Sequence, residues 1–231
     1  MVYAVDFYIT HLEESFKKAE QGISKISEDI LDMYGMTGYK TRHFYNNLLN
    51  IKDSRYLEIG TWGGSSVCAA MYKNKSTVVC IDNWSEFGGS DVKEVFFEYF
   101  SEFKGRNKAT FIEQDCFTVN VSALKKFNIY LYDGGHSYDD HYKALPYYLD
   151  CLDDMFIYIV DDWNWERVRK GAKSSITDLG LEVLWQKEII LTENDAHTPM
   201  NEAKLNWWNG IAVFLLRKNA TPVNRGNHVN I

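Results

Sequence analysis

Residues 57–66 read Leu-Glu-Ile-Gly-Thr-Trp-Gly-Gly-Ser-Ser, and this stretch decides how the chain is expected to fold. It begins as the end of an apolar strand over residues 55–59 and continues into glycines that allow a tight turn. Residues 65–72 then have the apolar spacing of a helix. A strand, a glycine turn and a helix in this order form the first unit of a parallel α/β sheet, with a ligand site expected at the turn.

The alternation of strands and helices continues along the chain. Strand patterns occur at residues 77–81, 109–112, 128–132 and 155–160, separated by helical patterns at 91–103, 119–125, 138–151 and 165–179. Segments 182–191 and 210–217 resemble two strands without a well-marked helix between them, which predicts an antiparallel pair at the sheet edge. The polar segment 192–209 between them is expected to be a functional loop. The predicted fold is a Rossmann-like, doubly wound α/β protein with a mostly parallel seven-stranded sheet.

The first fifty residues have a different, helical pattern. A stripe of apolar residues at spacings of three and four predicts a helix, and residues 41–50 predict a second, shorter one. The stripe consists of Ile9, Leu12, Phe16, Ala19, Ile23, Ile26, Ile30 and Met33. We expect it to lie on its own domain; a homodimer seam or a lid are the alternatives. The chain is thus divided into an N-terminal helical cap (1–52), a ligand-binding domain (53–218) and a C-terminal tail (219–231).

Composition excludes several classes of partner. The net charge of −7 argues against nucleic acid as the main partner, because no basic excess is present to displace counterions. Aromatic residues make up 15% of the 231 residues, which favours a pocket for a ring-shaped ligand. The apolar runs are too short to cross a membrane, and the N-terminus lacks a signal-peptide pattern. Four cysteines without a CxxC pair indicate free thiols, so we expect a cytoplasmic protein.

An acidic residue stands just before the glycines of the first turn. Glu58, Gly60 and Gly64 give the pattern ExGxxxG, which differs from the GxGxxG fingerprint of dinucleotide-binding proteins. A carboxylate there would repel a pyrophosphate, but it suits the ammonium and sulfonium groups of S-adenosylmethionine, whose carboxylate suits the free N–H groups of the following helix. We therefore predict a site for S-adenosylmethionine that includes Trp62 and Ser66. A plain strand-to-helix turn with a serine cap is the alternative.

Acidic residues also follow the second and third strands. Asp82 comes about twenty residues after the glycine turn, where it can accept hydrogen bonds from ribose hydroxyls. Trp84 can pack against the nucleoside, and Asp115 lies where an adenine amino group is expected. A solvated loop carboxylate at Asp82 and a core or rim aromatic at Trp84 are the alternatives. Three acidic residues at successive strand ends fit a cationic adenosyl ligand.

Carboxylates also follow the fourth and fifth strands. Asp133 ends one of them and Asp161-Asp162 the other, and neighbouring parallel strands bring such ends together. Three carboxylates in one place repel each other unless a cation neutralises them, and Mg²⁺ prefers such oxygen ligands. His136, three residues after Asp133, is predicted to remove the proton of an acceptor hydroxyl. A structural histidine, and loop caps at the aspartates, are the alternatives.

These motifs resemble the class I S-adenosylmethionine-dependent methyltransferases over about residues 40–217, and more narrowly the metal-dependent O-methyltransferases of the catechol type. The resemblance implies donor contacts from Glu58, Gly60, Ser66, Asp82, Asp115 and Cys116. Glu58 and Gly60 would contact the methionine part, Ser66 its carboxylate, and Asp115 with Cys116 the adenine. It also implies metal ligation by Asp133, Asp161 and Asp162, the last of which replaces an Asn of that family.

His136 stands where the catechol enzymes have a lysine. Residues 133–138, Asp-Gly-Gly-His-Ser-Tyr, are similar to the matching motif of macrolide-sugar O-methyltransferases of the macrocin and mycinamicin type, in which a His is the base. That resemblance implies a small-molecule hydroxyl acceptor, with a sugar as one option.

The predicted function is metal-assisted O-methylation by S-adenosylmethionine, with residues 192–209 and the N-terminal helices closing over the acceptor. Three alternatives stay open. They are a metal-independent methyltransferase with an amine or other acceptor, a nucleotide-dependent oxidoreductase, and a non-catalytic methyltransferase-like interaction module.

Overall fold

The computed structural model describes residues 4–219 and contains a seven-stranded sheet. Its strands are β1 (Arg55–Ile59), β2 (Thr77–Asp82), β3 (Lys108–Glu113), β4 (Phe127–Tyr132), β5 (Leu152–Asp161), β6 (Glu182–Ile189) and β7 (Ile211–Arg217). They lie in the order β3-β2-β1-β4-β5-β7-β6. Strands β1 to β5 pair in parallel, and β7 is antiparallel to both β5 and β6. The predicted fold class is confirmed; residues 220–231 of the predicted tail lie outside the described residues.

Helices cover both faces of the sheet and precede it. They are α1 (Val5–Glu20), α2 (Glu28–Asp32), α3 (Tyr39–Leu48), α4 (Ser65–Met71), α5 (Ser90–Phe103), α6 (Tyr138–Tyr148), α7 (Glu166–Asp178) and α8 (Met200–Ala203). The helix predicted over residues 119–125 was wrong, because only two short 3₁₀ turns form, Cys116–Thr118 and Val121–Ala123. Two β-branched valines and an asparagine weaken helix formation there, and β4 begins too soon for a longer helix.

The prediction of one continuous N-terminal helix was also wrong, because the chain turns at Gly22. Gly22 adopts a left-handed φ of +66°. Its N–H donates to the carbonyl of Ala19, and the N–H of Ile23 donates to the carbonyl of Lys18 at 2.8 Å. These two hydrogen bonds form a Schellman motif, which ends α1 by satisfying carbonyls that a continuing helix would have used. The apolar spacing continues past the turn, so periodicity alone did not reveal the break.

The apolar side of α1 packs into the protein's own core, as expected. Tyr8, Leu12 and Phe16 are buried. The ring of Phe16 lies 4.2 Å from that of Phe44 on α3 and 5.3 Å from that of Trp207, which precedes β7. The same cluster of buried side chains extends to β1, β2 and β4, so the N-terminal helices share a core with the sheet. Among the described residues, no helix is both long and apolar enough to span a bilayer.

The strand order reverses between β1 and β4, which fixes the position of a crevice. β2 follows β1 on one side, whereas β4 pairs with β1 on the other. In open α/β sheets the helices after two such strands lie on opposite faces, and ligands bind beyond the carboxyl ends at this point. The ends of β1 to β5 therefore face a common space, in which the predicted site residues are to be sought.

Candidate active site

A cavity of about 780 Å³ opens at the carboxyl ends of the parallel strands. Most of the predicted site residues line it, namely Gly60, Trp62, Ser66, Asp82, Asp115, Cys116, Asp133, His136, Asp161 and Asp162. Three predicted residues, Glu58, Gly64 and Trp84, are not part of its wall. The residues that follow the five parallel strands therefore line one shared cleft.

Gly60 makes the turn after β1 possible. Its φ is +82°, and a Cβ atom at this position would lie 1.8 Å from the backbone oxygen of Asp133. The N–H of Asp133 donates to the carbonyl of Ile59 at 2.8 Å, so the turn and the end of β4 lie directly against each other. Only glycine satisfies both the left-handed conformation and the close approach. Gly64, at φ +88°, begins α4 beneath the cavity wall.

Glu58 lies below the cavity rather than in it. Its side chain is fully buried, and its two oxygens accept hydrogen bonds from the hydroxyls of Tyr56 and Ser66, each at 2.6 Å. Burial raises the pKa of Glu58 to about 8, although the two hydroxyl donors oppose this. The expected direct contact with the methionine part is therefore not supported by the position of Glu58, which instead fixes Ser66 at the start of α4.

Asp82 holds the glycine turn in place. One carboxylate oxygen accepts from the N–H groups of Thr61 and Trp62, each at 2.8 Å, and the other accepts from the N–H of Trp84 at 2.7 Å. The ring of Trp84 packs 5.2 Å from that of Phe111 and so belongs to the core, which is the alternative stated for it above. Asp82 still lines the cavity, and its backbone partners explain why a carboxylate is required here.

Residues after β3 form the neighbouring wall. The carboxylate of Asp115 accepts from the N–H of Phe117 at 2.8 Å and caps a 3₁₀ turn, while Cys116 is partly buried beside it. Burial raises the pKa of the Cys116 thiol to about 12, so the thiol is protonated at neutral pH. Gln114 also lines this wall and was not predicted, although the rule of looking just after each strand would have found it.

The ends of β4 and β5 bring three carboxylates and a histidine together. Nε2 of His136 lies 2.7 Å from an oxygen of Asp162 and 3.8 Å from one of Asp133. One atom from each of these residues can be chosen so that all lie within 4.8 Å of one another. Asp162 reaches this position through a left-handed φ of +52°, which aspartate tolerates better than most residues. One buried oxygen of Asp161 and one of Asp162 have no hydrogen-bond partner among residues 4–219.

The crowding of carboxylates shifts the pKa values in this group. Burial lowers the pKa of His136, but Asp133 and Asp162 more than offset this and raise it to about 10. Burial, with the charge of Asp162 added, raises the pKa of Asp133 to about 6. Burial and both neighbouring carboxylates raise the pKa of Asp161 well above its ordinary value. The cluster therefore attracts positive charge, and a protonated His136 supplies some of it.

Another part of the wall comes from the segments before β1, after β5 and between β6 and β7. Trp165, His197 and Trp208 line it together with Met36 and Met200. The ring of Trp165 lies 5.2 Å from that of His136 and 4.9 Å from that of His197, in edge-to-face contacts. The predicted functional loop, 192–209, thus supplies several wall residues, but which of its side chains face the cavity was not predictable from its polar composition.

A buried arginine shapes the N-terminal part of this wall. The guanidinium of Arg42 donates to the backbone carbonyls of Ile30, Met33 and Thr37 at 2.8 to 2.9 Å. These bonds hold residues 33–37 against the cavity, where the hydroxyl of Thr37 also lies 2.9 Å from that of Ser65. Nothing in the sequence distinguished Arg42 from a surface arginine on a helix.

Comparison with known proteins identifies the class. Residues 57–163, just under half of the chain, match the family described as "Methyltransferase domain". Comparison with curated protein sequences gives no match. The fold is similar to an O-methyltransferase from Bacillus cereus solved with S-adenosylhomocysteine, at 10% identity and a TM-score of 0.56, covering 90% of this chain and 91% of that one.

Two further solved structures give the same result. The O-methyltransferase TomG from Streptomyces achromogenes, involved in tomaymycin synthesis and solved with S-adenosylmethionine, is similar at 13% identity and a TM-score of 0.55, covering 90% of this chain and 89% of that one. The Podospora anserina methyltransferase PaMTH1, solved with S-adenosylhomocysteine, is similar at 14% identity and a TM-score of 0.55, covering 90% and 88%.

The sheet order and the cleft at its switch point define a class I methyltransferase fold. The family match covers the glycine turn and the strands around it, so this part of the chain is similar to a methyltransferase domain. The predicted class is confirmed, and methyl transfer is favoured over the oxidoreductase alternative.

Proposed function

We propose that the protein transfers a methyl group from S-adenosylmethionine to a hydroxyl group of a small molecule, with a divalent cation and His136 assisting the acceptor. One observation carries the proposal. The cavity that begins at the glycine turn of Gly60 also contains Asp133, His136 and Asp162, with the His136–Asp162 approach at 2.7 Å. A donor at the turn and an acceptor at the carboxylates would then be neighbours in one cleft, and such positioning supplies much of the rate of a bimolecular reaction.

The donor half of the cavity has the groups that an adenosyl ligand requires. Asp82 and Asp115 line it at the ends of β2 and β3, and Gln114 adds an amide beside them. Gly60 lines the same cavity and lets the turn after β1 lie directly against the end of β4. The similar structures that contain S-adenosylmethionine or S-adenosylhomocysteine support this choice of donor.

The carboxylate cluster fits a hard divalent cation. Asp133 and Asp162 offer oxygens in the wall, and one buried oxygen each of Asp161 and Asp162 lacks a hydrogen-bond partner in the described part of the chain. Oxygen ligands of this kind are those that Mg²⁺ prefers, so Asp133 and Asp162 would hold it, with Asp161 adjacent. When bound, such a cation lowers the pKa of a hydroxyl group coordinated to it.

His136 is the group that would receive the acceptor proton. Its Nε2 faces the two aspartates, and its Nδ1 faces an oxygen of Glu86 at 3.7 Å. With both carboxylates uncompensated, its pKa of about 10 would keep it protonated at neutral pH and unable to act as a base. Its use as a base therefore depends on neutralising Asp133 and Asp162, which links the predicted base to the predicted cation.

The decisive experiment separates donor binding from cation binding. Titration calorimetry with S-adenosylhomocysteine and electron paramagnetic resonance with Mn²⁺ are measured on the wild type, Asp133→Ala and Asp162→Asn. We expect both variants to bind Mn²⁺ at least about tenfold more weakly, because each loses a charged ligand, while S-adenosylhomocysteine affinity changes by less than about threefold. Turnover, assayed with hydroxyl compounds as acceptors, should fall with the Mn²⁺ affinity.

Asp154→Asn is the matched control. Asp154 is exposed near the start of β5, whereas Asp162 directly follows the end of that strand. It should leave both affinities unchanged. Wild-type Mn²⁺ affinity in Asp162→Asn and Asp133→Ala would contradict the cation site, and a wild-type protein that does not bind S-adenosylhomocysteine would contradict the proposed donor.

A metal-independent methyltransferase is the second candidate. The short approach of His136 to Asp162 and the raised pKa of His136 favour it, because an imidazolium can itself neutralise the carboxylates. In that case turnover survives EDTA, and an amine acceptor could bind the aspartates. Loss of turnover on EDTA treatment, restored by Mg²⁺, would exclude it.

A further inference from the structure

We infer that the acceptor carries no net negative charge, so that phosphorylated, carboxylated and nucleotide-linked compounds with a net negative charge are excluded as acceptors. The inference rests on the proposed function and concerns the substrate class of the same site. It comes from the balance of charged side chains around the whole cavity, not from the aspartate cluster alone.

Acidic groups dominate the charged side chains that line the cavity. Seven of its lining residues are aspartate or glutamate, and none of the lining residues that the structure describes is lysine or arginine. His136 and His197 are the lining groups that can become positive. The guanidinium of Arg167 is nearby, but it stacks on Trp165, 4.6 Å from the ring centre, and Arg167 is not part of the wall.

The net charge of the cavity stays negative when the donor and a cation are bound. A divalent ion, a sulfonium donor of net charge +1 and a protonated His136 would together add four positive charges against seven carboxylates. Leaving the buried Asp161 protonated does not reverse the sign. Partners within the protein, such as the N–H groups bound by Asp82, disperse the charge without cancelling it.

Glu86 adds one of these carboxylates to the acceptor half, beside His136. The side chain of Glu86 is 55% exposed, and its carboxylate lies 3.7 Å from Nδ1 of His136, while Trp165, Trp208 and Met200 line the same cavity. A cleft with walls of low dielectric focuses the field of such charges and attracts or repels ligands by their sign. The aromatic wall then suits an uncharged or cationic hydroxyl compound with an apolar ring face. Methylation would accordingly take place on compounds that hold no phosphate.

Charged thiol reagents measure this field without an identified acceptor. Met200, at the cavity and 68% exposed, is replaced by cysteine in a Cys116→Ser background, and the reference protein carries Val183→Cys, at a site that is 41% exposed on β6. Each thiol reacts with a cationic and an anionic methanethiosulfonate. For each thiol we take the ratio of its reaction rate with the cationic reagent to its rate with the anionic reagent. We expect this ratio at Met200→Cys to exceed that at Val183→Cys by at least about tenfold. The ratio at Met200→Cys should fall as salt is added.

Substitutions of Glu86 test whether its carboxylate contributes to this ratio of rates. Glu86→Gln should lower the ratio and Glu86→Lys should lower it further, whereas Glu98→Gln, on an exposed residue of α5 outside the cavity, should not change it. A ratio at Met200→Cys equal to or below that at Val183→Cys would overturn the inference. S-adenosylhomocysteine binding is measured on the wild-type protein, in which Cys116 and Met200 are intact, so a failure of the proposed donor is seen separately from a failure of the charge preference.

Discussion

The side chain of Glu58 is a carboxyl group without access to solvent, and two hydroxyl groups donate to it. Its pKa of about 8, against an ordinary 4.5, means that the folded protein retains a proton that the unfolded chain releases. The stabilisation from this group is therefore fully present below about pH 4.5 and is lost as pH rises through about 8.

Glu58→Gln should remove most of this pH dependence, because the amide is neutral throughout. We expect the wild type to lose about 3 kcal/mol more free energy of unfolding than the variant between pH 5 and pH 8, measured by urea unfolding. Glu98→Gln, an exposed substitution of the same type, should keep the wild-type slope. Equal slopes in the wild type and Glu58→Gln would show that Glu58 is already ionised in the folded protein.

At the level of single residues, the sequence predicted which strand ends carry acidic groups but not what each group does. Asp82 and Glu58 look equivalent in the sequence, yet one accepts three backbone N–H bonds at the cavity and the other is buried beneath it. A strand end fixes the position of a Cα atom, whereas the direction of the side chain depends on neighbours such as Tyr56, which are known only after folding.

The turn between β1 and α4 contains glycines under very different constraints. Gly60→Ala would place a methyl group 1.8 Å from the carbonyl oxygen of Asp133 at a φ of +82°, so the end of β4 must move. At Gly63 the nearest atom to an added Cβ is 3.9 Å away, which is ordinary contact. Gly60, a glycine of the pattern ExGxxxG, is therefore required by geometry, whereas Gly63, which stands at a variable position of that pattern, is not.

We expect Gly60→Ala to lower the free energy of unfolding by about 3 kcal/mol or more and to abolish S-adenosylhomocysteine binding. Gly63→Ala should change stability by less than about 1 kcal/mol. Urea unfolding and titration calorimetry check both variants in parallel. Comparable losses in the two variants would mean that the turn is sensitive to any side chain, contrary to the close approach described at Gly60.

Among the elements, long strands were predicted within a few residues because apolar β-branched runs and their flanking turns are local signals. The break of the N-terminal helix and the missing helix at 119–125 were not predicted. In both places the apolar spacing agrees with a helix, and the outcome is decided by a left-handed glycine or by the short distance to the next strand.

At the scale of the whole molecule, the N-terminal helices and the loop before β7 share one aromatic cluster. Phe16 contacts Phe44 and Trp207, and Nε1 of Trp207 donates to Glu20 at 2.8 Å. The division into a cap (1–52) and a ligand-binding domain (53–218) stays a prediction, and this cluster is the place to test it.

Phe16→Ala should lower the free energy of unfolding by about 3–5 kcal/mol in a single transition, since it leaves a cavity between three elements. Phe7→Ala, on the same helix but 40% exposed, should cost less than about 1 kcal/mol. Urea unfolding followed by tryptophan fluorescence and by circular dichroism gives both values. Two separate transitions, with only the first affected by Phe16→Ala, would instead support an independently folding cap.

The contact between Gly60 and the backbone of Asp133 has one more consequence. Because the two turns lie against each other with no side chain between them, neither can shift without displacing the other. A ligand in the donor half of the cleft and a ligand in the acceptor half should then act as heterotropic effectors of one another. By reciprocity, whatever factor one ligand imposes on the dissociation constant of the second must be returned unchanged by the second on the first.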